Sequence, residues 1–343
     1  MTTITDRLQA LQHLRNLMNP DRPALRQLME KACLENPWFT MEDYHYTIHH
    51  IRQTYLDNDL LFEFAAGYQL FEKEVNPRKV GIVMAGNIPL VGFHDLLCVF
   101  LAGHLARVKW SEKDEIVFPG IMDEWMGSYP WISNAIQSQT KLNDFQAVIA
   151  TGSNQTSRYF EEYFGKYPHI IRKNRNAVAI LDGQETIDEL NGLAEDVLRY
   201  FGKGCRNVSQ IWVPEGYAFN PLIDALDQFE DRILHHKYKH NYDYNLAIHI
   251  INRIDHLVGS QVLLIENEQI SSRIGTLHYW FYQDNQELKA RAARHREEIQ
   301  CIVGHSGLPA LELVPFGQAQ QPGLTTYADG VDVMAFLMQL GRS

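Results

Sequence analysis

The chain is poor in several things that would narrow its class. Its 343 residues hold four cysteines, at 33, 98, 205 and 301, and no two form a C-x-x-C pair. Such spacing excludes a disulfide framework and a cysteine-based zinc site, and a reducing cytoplasm is the expected compartment. No apolar run approaches the ~18 residues that cross a bilayer, and Met1-Thr2-Thr3-Ile4-Thr5 has no basic n-region before an apolar core, so no membrane span or export is expected. Positive charge is also scarce: 31 Lys and Arg against 42 Asp and Glu leave a formal charge of -11. General electrostatic attraction to nucleic acid is therefore not expected. There is no G-x-G-x-x-G fingerprint, and none of the 15 histidines falls in an H-E-x-x-H spacing, so no metal is assigned. Internal repeats, low-complexity tracts and long Gly/Ser/Pro linkers are absent as well.

What is present is an alternation of two patterns. Residues 1 to about 75 read as helices, with Leu8, Leu11, Leu14 and Leu17 at helical spacing. A short apolar run over 80–85 then ends at Gly86-Asn87-Ile88-Pro89 and is followed by a helix-like segment over 91–103. Strands are predicted again over 105–110 and 147–150, with helices through about 141 between them and another helix over 157–164. Beyond these, strands over 176–181, 211–214 and 262–265 alternate with helices over 189–201 and 219–229. Strands alternating with helices imply parallel α/β sheets, and the length and the 45% hydrophobic content suit two domains. Ligands bind at the carboxyl ends of strands in such sheets, which brings residues 86–89, 109–112 and 151–154 into consideration as one crevice. Glycine there permits close backbone approach and a helix N-terminus attracts phosphate. The same loops are equally readable as ordinary turns.

Cys205 differs from the other cysteines. It follows Gly202-Lys203-Gly204, where the backbone can bend toward a substrate, and Lys203 and Arg206 supply positive charge that favours thiolate. Cys33, Cys98 and Cys301 have the apolar neighbours of small buried hydrophobes.

Several motifs in order carry a resemblance: Ala85 to Leu90 (Ala-Gly-Asn-Ile-Pro-Leu), Val108 to Ser111 (Val-Lys-Trp-Ser), Ala150 to Ser153 (Ala-Thr-Gly-Ser), Gly202 to Cys205 and Glu297-Glu298-Ile299. Together they resemble the aldehyde dehydrogenase superfamily. More narrowly, Met84 to Leu90, Phe201 to Ser209, Pro315-Phe316-Gly317-Gln318-Ala319-Gln320 and Tyr327 to Asp332 resemble its acyl-CoA reductase branch, typified by the fatty acid reductase of bacterial bioluminescence. The match runs from about Lys79 to Leu337.

The resemblance implies an aldehyde dehydrogenase-like α/β fold of two Rossmann-like domains with parallel sheets and a helical N-terminal segment. Residues 1–181 would be that segment plus the nucleotide-binding domain, 182–318 the catalytic domain, and 319–343 a return to the first. It implies that Cys205 attacks an acyl-CoA or other acyl thioester, that Asn87 and the Cys205 N–H stabilise the oxyanion, and that NAD(P)H reduces the acyl-enzyme to an aldehyde. The cofactor would be held by Lys109, Ser111, Thr151, Gly152, Ser153 and Glu298. Each has another reading: Lys109 as a solvated strand end, Ser153 as a helix N-cap, Glu298 as one more charge on the polar face of a helix over 288–298. Gln300 also stands where the wider superfamily has an aromatic residue.

Residues 169–176 lack the glutamate that hydrolytic aldehyde dehydrogenases carry some three dozen residues before their cysteine, so capture by hydride or CoA is favoured over water. Glu112, near the adenine-side ribose, argues for NADH, whereas the narrower branch implies NADPH. The cofactor stays NAD(P)H, leaning to NADPH. Arg172, Lys173 and Arg175 either hold phosphates or form a solvated loop, and His305 is a candidate for proton transfer. A homodimer is implied by the superfamily and an acyl-protein synthetase partner by the branch. Two other classes remain open: a cysteine-dependent thioesterase or acyltransferase, and an inactive nucleotide-binding scaffold.

Overall fold

The structure, a computed structural model, describes residues 2–72, 75–229, 231–305 and 311–342. The chain divides into two compact units, Met1–Lys173 with Gly323–Ser343, and Asn174–Pro322. The divisions fall at 173/174 and 322/323 rather than at 181/182 and 318/319, so the strand over 176–180 belongs to the second unit.

The first unit begins with helices Ile4–Leu17, Pro23–Glu35, Met41–His50 and Asn58–Gly67. Thr3 and Asp6 close the first in a capping box: the Thr3 hydroxyl accepts from the Asp6 N–H at 3.2 Å and Asp6 accepts from the Thr3 N–H at 2.8 Å. Leu11, Leu14 and Leu17 are buried as their helical spacing predicts. Five parallel strands follow: β1 (Lys79–Val83), β2 (Leu105–Lys109), β3 (Ile136–Ser138), β4 (Ala147–Thr151) and β5 (His169–Arg172). Their order is β3-β2-β1-β4-β5, the doubly wound arrangement whose strand order reverses between β1 and β4. Strands β3 and β5 were not anticipated; each is short, and β5 alternates half-buried and buried residues instead of forming an apolar run.

The returning segment joins this unit through helix Val333–Leu340, capped by Asp332, whose carboxylate accepts from the Ala335 N–H at 2.8 Å. Val333, Met334 and Leu337 enter the same core as Phe93, Leu96 and Val99 of helix Phe93–Leu101. The Tyr68 hydroxyl donates to Asp332 at 2.8 Å and bonds the Tyr327 hydroxyl at 2.7 Å. Buried His104 accepts from the Arg78 N–H at 3.0 Å through Nδ1 and donates from Nε2 to the Leu337 carbonyl at 2.8 Å, the pattern of a neutral ring. Burial lowers its pKa accordingly.

The second unit carries β6 (Asn176–Ile180), β7 (Val208–Pro214), β8 (Leu257–Val258), β9 (Leu263–Glu266), β10 (Thr276–Tyr282), β11 (Ile299–Val303) and β12 (Leu313–Val314). Their order is β12-β11-β6-β7-β10-β9-β8, parallel except for β8 against β9. Helix Ile187–Leu198 is closed at its start by the Thr186–Glu189 capping box. Helix Asn285–Arg294 stops short of Glu298, which lies in the turn before β11 and not on a helical face. His235 caps helix His236–Asn252, accepting from the Tyr238 N–H at 3.4 Å, and Tyr238 is buried.

The predicted basic cluster is dismantled by this arrangement. Arg172 is buried and forms a bidentate pair with Asp95, at 2.5 and 2.9 Å, so it is neither solvated nor free for a phosphate. Arg175 belongs to the second unit, where it donates to the carbonyls of Arg296 and Ile299 at 3.1 and 3.3 Å. Removing one partner of a buried pair strands the other charge. Asp95→Ala is expected to lower stability by about 3–5 kcal/mol in chemical denaturation, and a loss below about 1 kcal/mol would mean that Arg172 finds solvent or another partner.

Candidate active site

In the second unit the helix Ile187–Leu198 ends against β7, and the intervening turn presents Cys205. Tyr200, Phe201 and Gly202 are all left-handed, with φ of 54°, 58° and 72°. Glycine accepts that conformation freely, but Tyr200 and Phe201 are strained by it and must be held. Both are buried. The Phe201 ring lies 4.6 Å from the His235 ring, 5.8 Å from Tyr238 and 5.0 Å from the Arg232 guanidinium, a packed and partly cationic surround.

The hydrogen bonds of this turn converge on Asn207, which is 1% exposed. Its carboxamide donates to the carbonyls of Asp196, Val197 and Arg199 at 3.0, 3.3 and 2.8 Å, groups that the end of the helix leaves without partners. Its side-chain oxygen accepts from the Gly204 N–H at 2.7 Å, and its own N–H donates to the Gly204 carbonyl at 3.1 Å. Cys205 thus sits, half-buried, in a turn closed at both ends by one residue. Asn207 was not singled out in the sequence, although it lies two residues past the cysteine.

Asp196 holds a second connection. It is fully buried and accepts from the backbone N–H groups of Gly317 and Ala319 at 2.7 and 3.0 Å, and burial pushes its carboxyl up to about 7. The Ala319 carbonyl in turn accepts from Arg206 at 3.4 Å. This ties the Pro315 to Gln320 motif to the helix that delivers Cys205. The signal was an aspartate among Leu193, Ala194 and Val197 on an apolar helical face.

Glu298 shares one end of the sheet with the Cys205 turn. At the start of β6, the Asn176 N–H donates to the Glu298 carbonyl at 2.9 Å and the Ala177 N–H to the Asn207 carbonyl at 3.0 Å. The Glu298 side chain is exposed and pairs with His295 at 2.8 Å. His305 follows the carboxyl end of β11, the opposite end of the sheet from Cys205, and meets Glu189 at 3.1 Å and Asp182 at 3.8 Å. A proton-transfer role at Cys205 is therefore withdrawn. Asp182, Glu185 and His305 each bring a ligand atom within 4.8 Å of the others, yet Glu185 already accepts from the N–H groups of Asp182 and Gly183 and from Tyr217. No ion is assigned there.

The other cysteines are suppressed by their surroundings. Desolvation pushes the Cys33 thiol up to about 11 and that of Cys301 to about 12, and buried Cys98 lies well above its ordinary value. Only Cys98 is fully buried; Cys33 and Cys301 are half-buried.

The first unit assembles the remaining candidates. Val83 of β1 is flanked by Lys109 of β2 and Ala150 of β4, so the three loops that follow start at one level on adjacent parallel strands. This is the reversal point of the sheet, where a crevice opens. Asn87 is half-buried in the first loop, and Lys109 ends β2. The Ser111 hydroxyl accepts from the Lys113 N–H at 3.3 Å and lies against Gly86. Thr151 ends β4, and the Gly152 N–H donates to the Arg172 carbonyl at 3.2 Å. A Cβ on Gly152 would press on the side chains of Phe160, at 2.9 Å, and Thr156, at 3.0 Å, where β4 enters its helix. Ser153 is the N-cap of helix Asn154–Phe164, accepting from the Thr156 N–H at 3.2 Å. Asn87 and Cys205 belong to different units.

No protein-family model matches the chain, and no curated protein matches it. Solved structures do. Aldehyde dehydrogenase 21 from Physcomitrella patens, in complex with the reaction product succinate, is 12% identical with a TM-score of 0.68, covering 99% of this chain and 85% of its own. Betaine aldehyde dehydrogenase from Staphylococcus aureus, in complex with NAD+, is 13% identical with a TM-score of 0.68 over 92% and 74%. An NADP dependent enzyme from E. coli is 14% identical with a TM-score of 0.64 over 92% and 80%. At these identities the likeness establishes the fold, which is aldehyde dehydrogenase-like, as the ordered motifs imply.

Two outcomes follow from the Cys205 turn. Limited alkylation at mildly alkaline pH, read by peptide mass spectrometry, should label Cys205 ahead of the three thiols that burial holds protonated; earlier labelling of Cys301 would reverse the assignment. Asn207→Ala leaves buried carbonyls unmatched and should cost about 2–4 kcal/mol while broadening the rate distribution of Cys205 alkylation. An unchanged thermal midpoint would show that the turn holds itself.

Proposed function

We propose that the protein is an acyl-CoA reductase in which Cys205 takes the acyl group from an acyl thioester and the resulting acyl-enzyme is reduced to an aldehyde with NAD(P)H. The observation that carries this reading is the Cys205 turn: a half-buried thiol on a clamped, strained backbone in a fold otherwise known for aldehyde dehydrogenases. Its thiolate attacks the thioester carbonyl, forming a new C–S bond, and the tetrahedral oxyanion collapses by breaking the bond to CoA, which leaves as a thiolate. Asn87 donates its side-chain amide to that oxyanion, joined by the Cys205 N–H. Donors placed in advance stabilise charge that develops only in the transition state.

The residues of the first unit fit a dinucleotide. Gly152 packs against Phe160 and Thr156 just before helix Asn154–Phe164, beside the reversal point of the sheet, and a helix N-terminus there suits a pyrophosphate. Lys109 and Ser111 would serve the adenine-side ribose, Thr151, Gly152 and Ser153 the phosphates, and Glu298 the nicotinamide ribose. When bound, the reduced nicotinamide supplies hydride. Lys109 and Glu112 leave NADPH and NADH both compatible, and the narrower branch favours NADPH.

Residues 169–176 contain no carboxylate, and β5 directs Arg172 into the pair with Asp95. A base to activate water is thus missing from the segment where the hydrolytic relatives carry one, and the acyl-enzyme persists for reduction. This separates the reading from aldehyde oxidation to a free acid.

The test is turnover of long-chain and medium-chain acyl-CoA with NADPH and, separately, NADH, following CoA release and nucleotide absorbance together. One CoA released per nucleotide oxidised, with both abolished in Cys205→Ala, is expected. Nucleotide oxidation that survives in Cys205→Ala sinks the mechanism, and CoA release without nucleotide consumption points to a thioesterase. Asn87→Ala should lower kcat ~100- to 1,000-fold with nearly unchanged nucleotide affinity.

A further inference from the structure

The loop of Asn87 is gripped on both sides by the turn from Ser111 to Asp114. Gly86, just before Asn87, lies so close to Ser111 that a Cβ would stand 2.1 Å from its hydroxyl oxygen. Leu90, just beyond Pro89, is buried and left-handed, with φ of 55°, a conformation that costs an L-residue about 1–2 kcal/mol. Its N–H donates at 2.7 Å to Oδ2 of Asp114. Asp114 closes the same turn, its N–H donating to the Ser111 carbonyl at 2.9 Å. The carboxylate is 7% exposed, and its other oxygen accepts from the Tyr44 hydroxyl at 3.4 Å. Asn36 braces the turn from outside, donating to the Lys113 carbonyl at 3.0 Å.

A carboxylate in this position costs stability. Burial pushes it up to about 6, and an apolar side chain would fill the space without that penalty. What an apolar side chain cannot do is accept from Leu90. We propose that Asp114 is a positioning residue for Asn87: its buried carboxylate pins Leu90 in the left-handed turn that, with Ser111 against Gly86, fixes the backbone on either side of the oxyanion donor. The inference rests on the reading of Asn87 as that donor. It also assigns a task to the N-terminal helices, since Asn36 and Tyr44 support the turn from there.

The test is a double-mutant cycle on the full chain, with kcat and KM for acyl-CoA, nucleotide affinity and Cys205 alkylation measured for each variant. Asp114→Ala should lower kcat ~10- to 100-fold, the scale of a donor misplaced by about 1 Å, with nucleotide affinity and Cys205 alkylation retained. Asp114→Asn, whose side-chain oxygen still accepts from Leu90, should recover most of that loss. In the Asn87→Ala background the same Asp114→Ala change should cost less than ~2-fold, because the group it positions is gone. If Asp114→Ala does not fold, Asp114→Ser, too short to reach Leu90, takes its place in the cycle. A full and independent cost in both backgrounds overturns the positioning role while leaving Asn87 as donor. An Asn87→Ala variant with undiminished kcat overturns the oxyanion reading itself, and the inference with it.

Discussion

Burying the carboxyl end of a helix is possible only if its last carbonyls find donors, and in this protein one side chain meets that demand. Asn207 satisfies three carbonyls of the segment that ends helix Ile187–Leu198 and returns an acceptor to Gly204. Two consecutive non-glycine residues in the left-handed region follow the helix, and without the clamp the chain would relax out of them. Phe201, packed among His235, Tyr238 and Arg232, secures the same kink from the other side. The thiol of Cys205 is therefore displayed by backbone geometry, with Asp196 fastening the Pro315 to Gln320 segment to the same helix.

The first unit solves a related problem with a sheet. Three parallel strands in register bring three loops to one level, and the reversal of strand order beside β1 separates the helices that follow. Polar side chains then lock loop to loop, Asp114 to Leu90 and Ser111 against Gly86, while Ser153 caps the helix after β4. The N-terminal helices and the returning C-terminal helix complete the apolar core beneath. Both units follow one rule, in which a buried polar group is matched with backbone N–H or C=O at a point where the chain must turn sharply.

Much of this was readable in the chain. Strands β1, β2, β4, β6, β7 and β9 are buried on both faces, so they appear as short apolar runs bounded by turn residues. Strand β10, Thr276-Leu277-His278-Tyr279-Trp280-Phe281-Tyr282, was missed although its aromatic content favours a strand; His278 broke the apolar run, and in the sheet that ring bonds the Gln269 carbonyl at 2.8 Å. Helix His236–Asn252 was missed because only Tyr238, Tyr242 and Asn245 are buried on it, a stripe too narrow to stand out amid histidines and lysines. The triplet Arg172, Lys173, Arg175 looked like one basic patch since charge in sequence carries no direction, and β5 turned Arg172 inward.

The sequence by itself determined the alternation of strands and helices, and with it the parallel sheets of an aldehyde dehydrogenase-like fold, because hydrophobic period and turn residues act over a few neighbours. It also marked Cys205 as the thiol set apart from the rest. Only the tertiary structure decided which polar residues hold that thiol and the Asn87 loop in place. Asn207, Asp196 and Asp114 act through bonds to residues up to 123 positions away, as Asp196 does with Ala319. Such a bond depends on where the packed backbone leaves an unmatched N–H or C=O, and that place does not exist until the chain has folded.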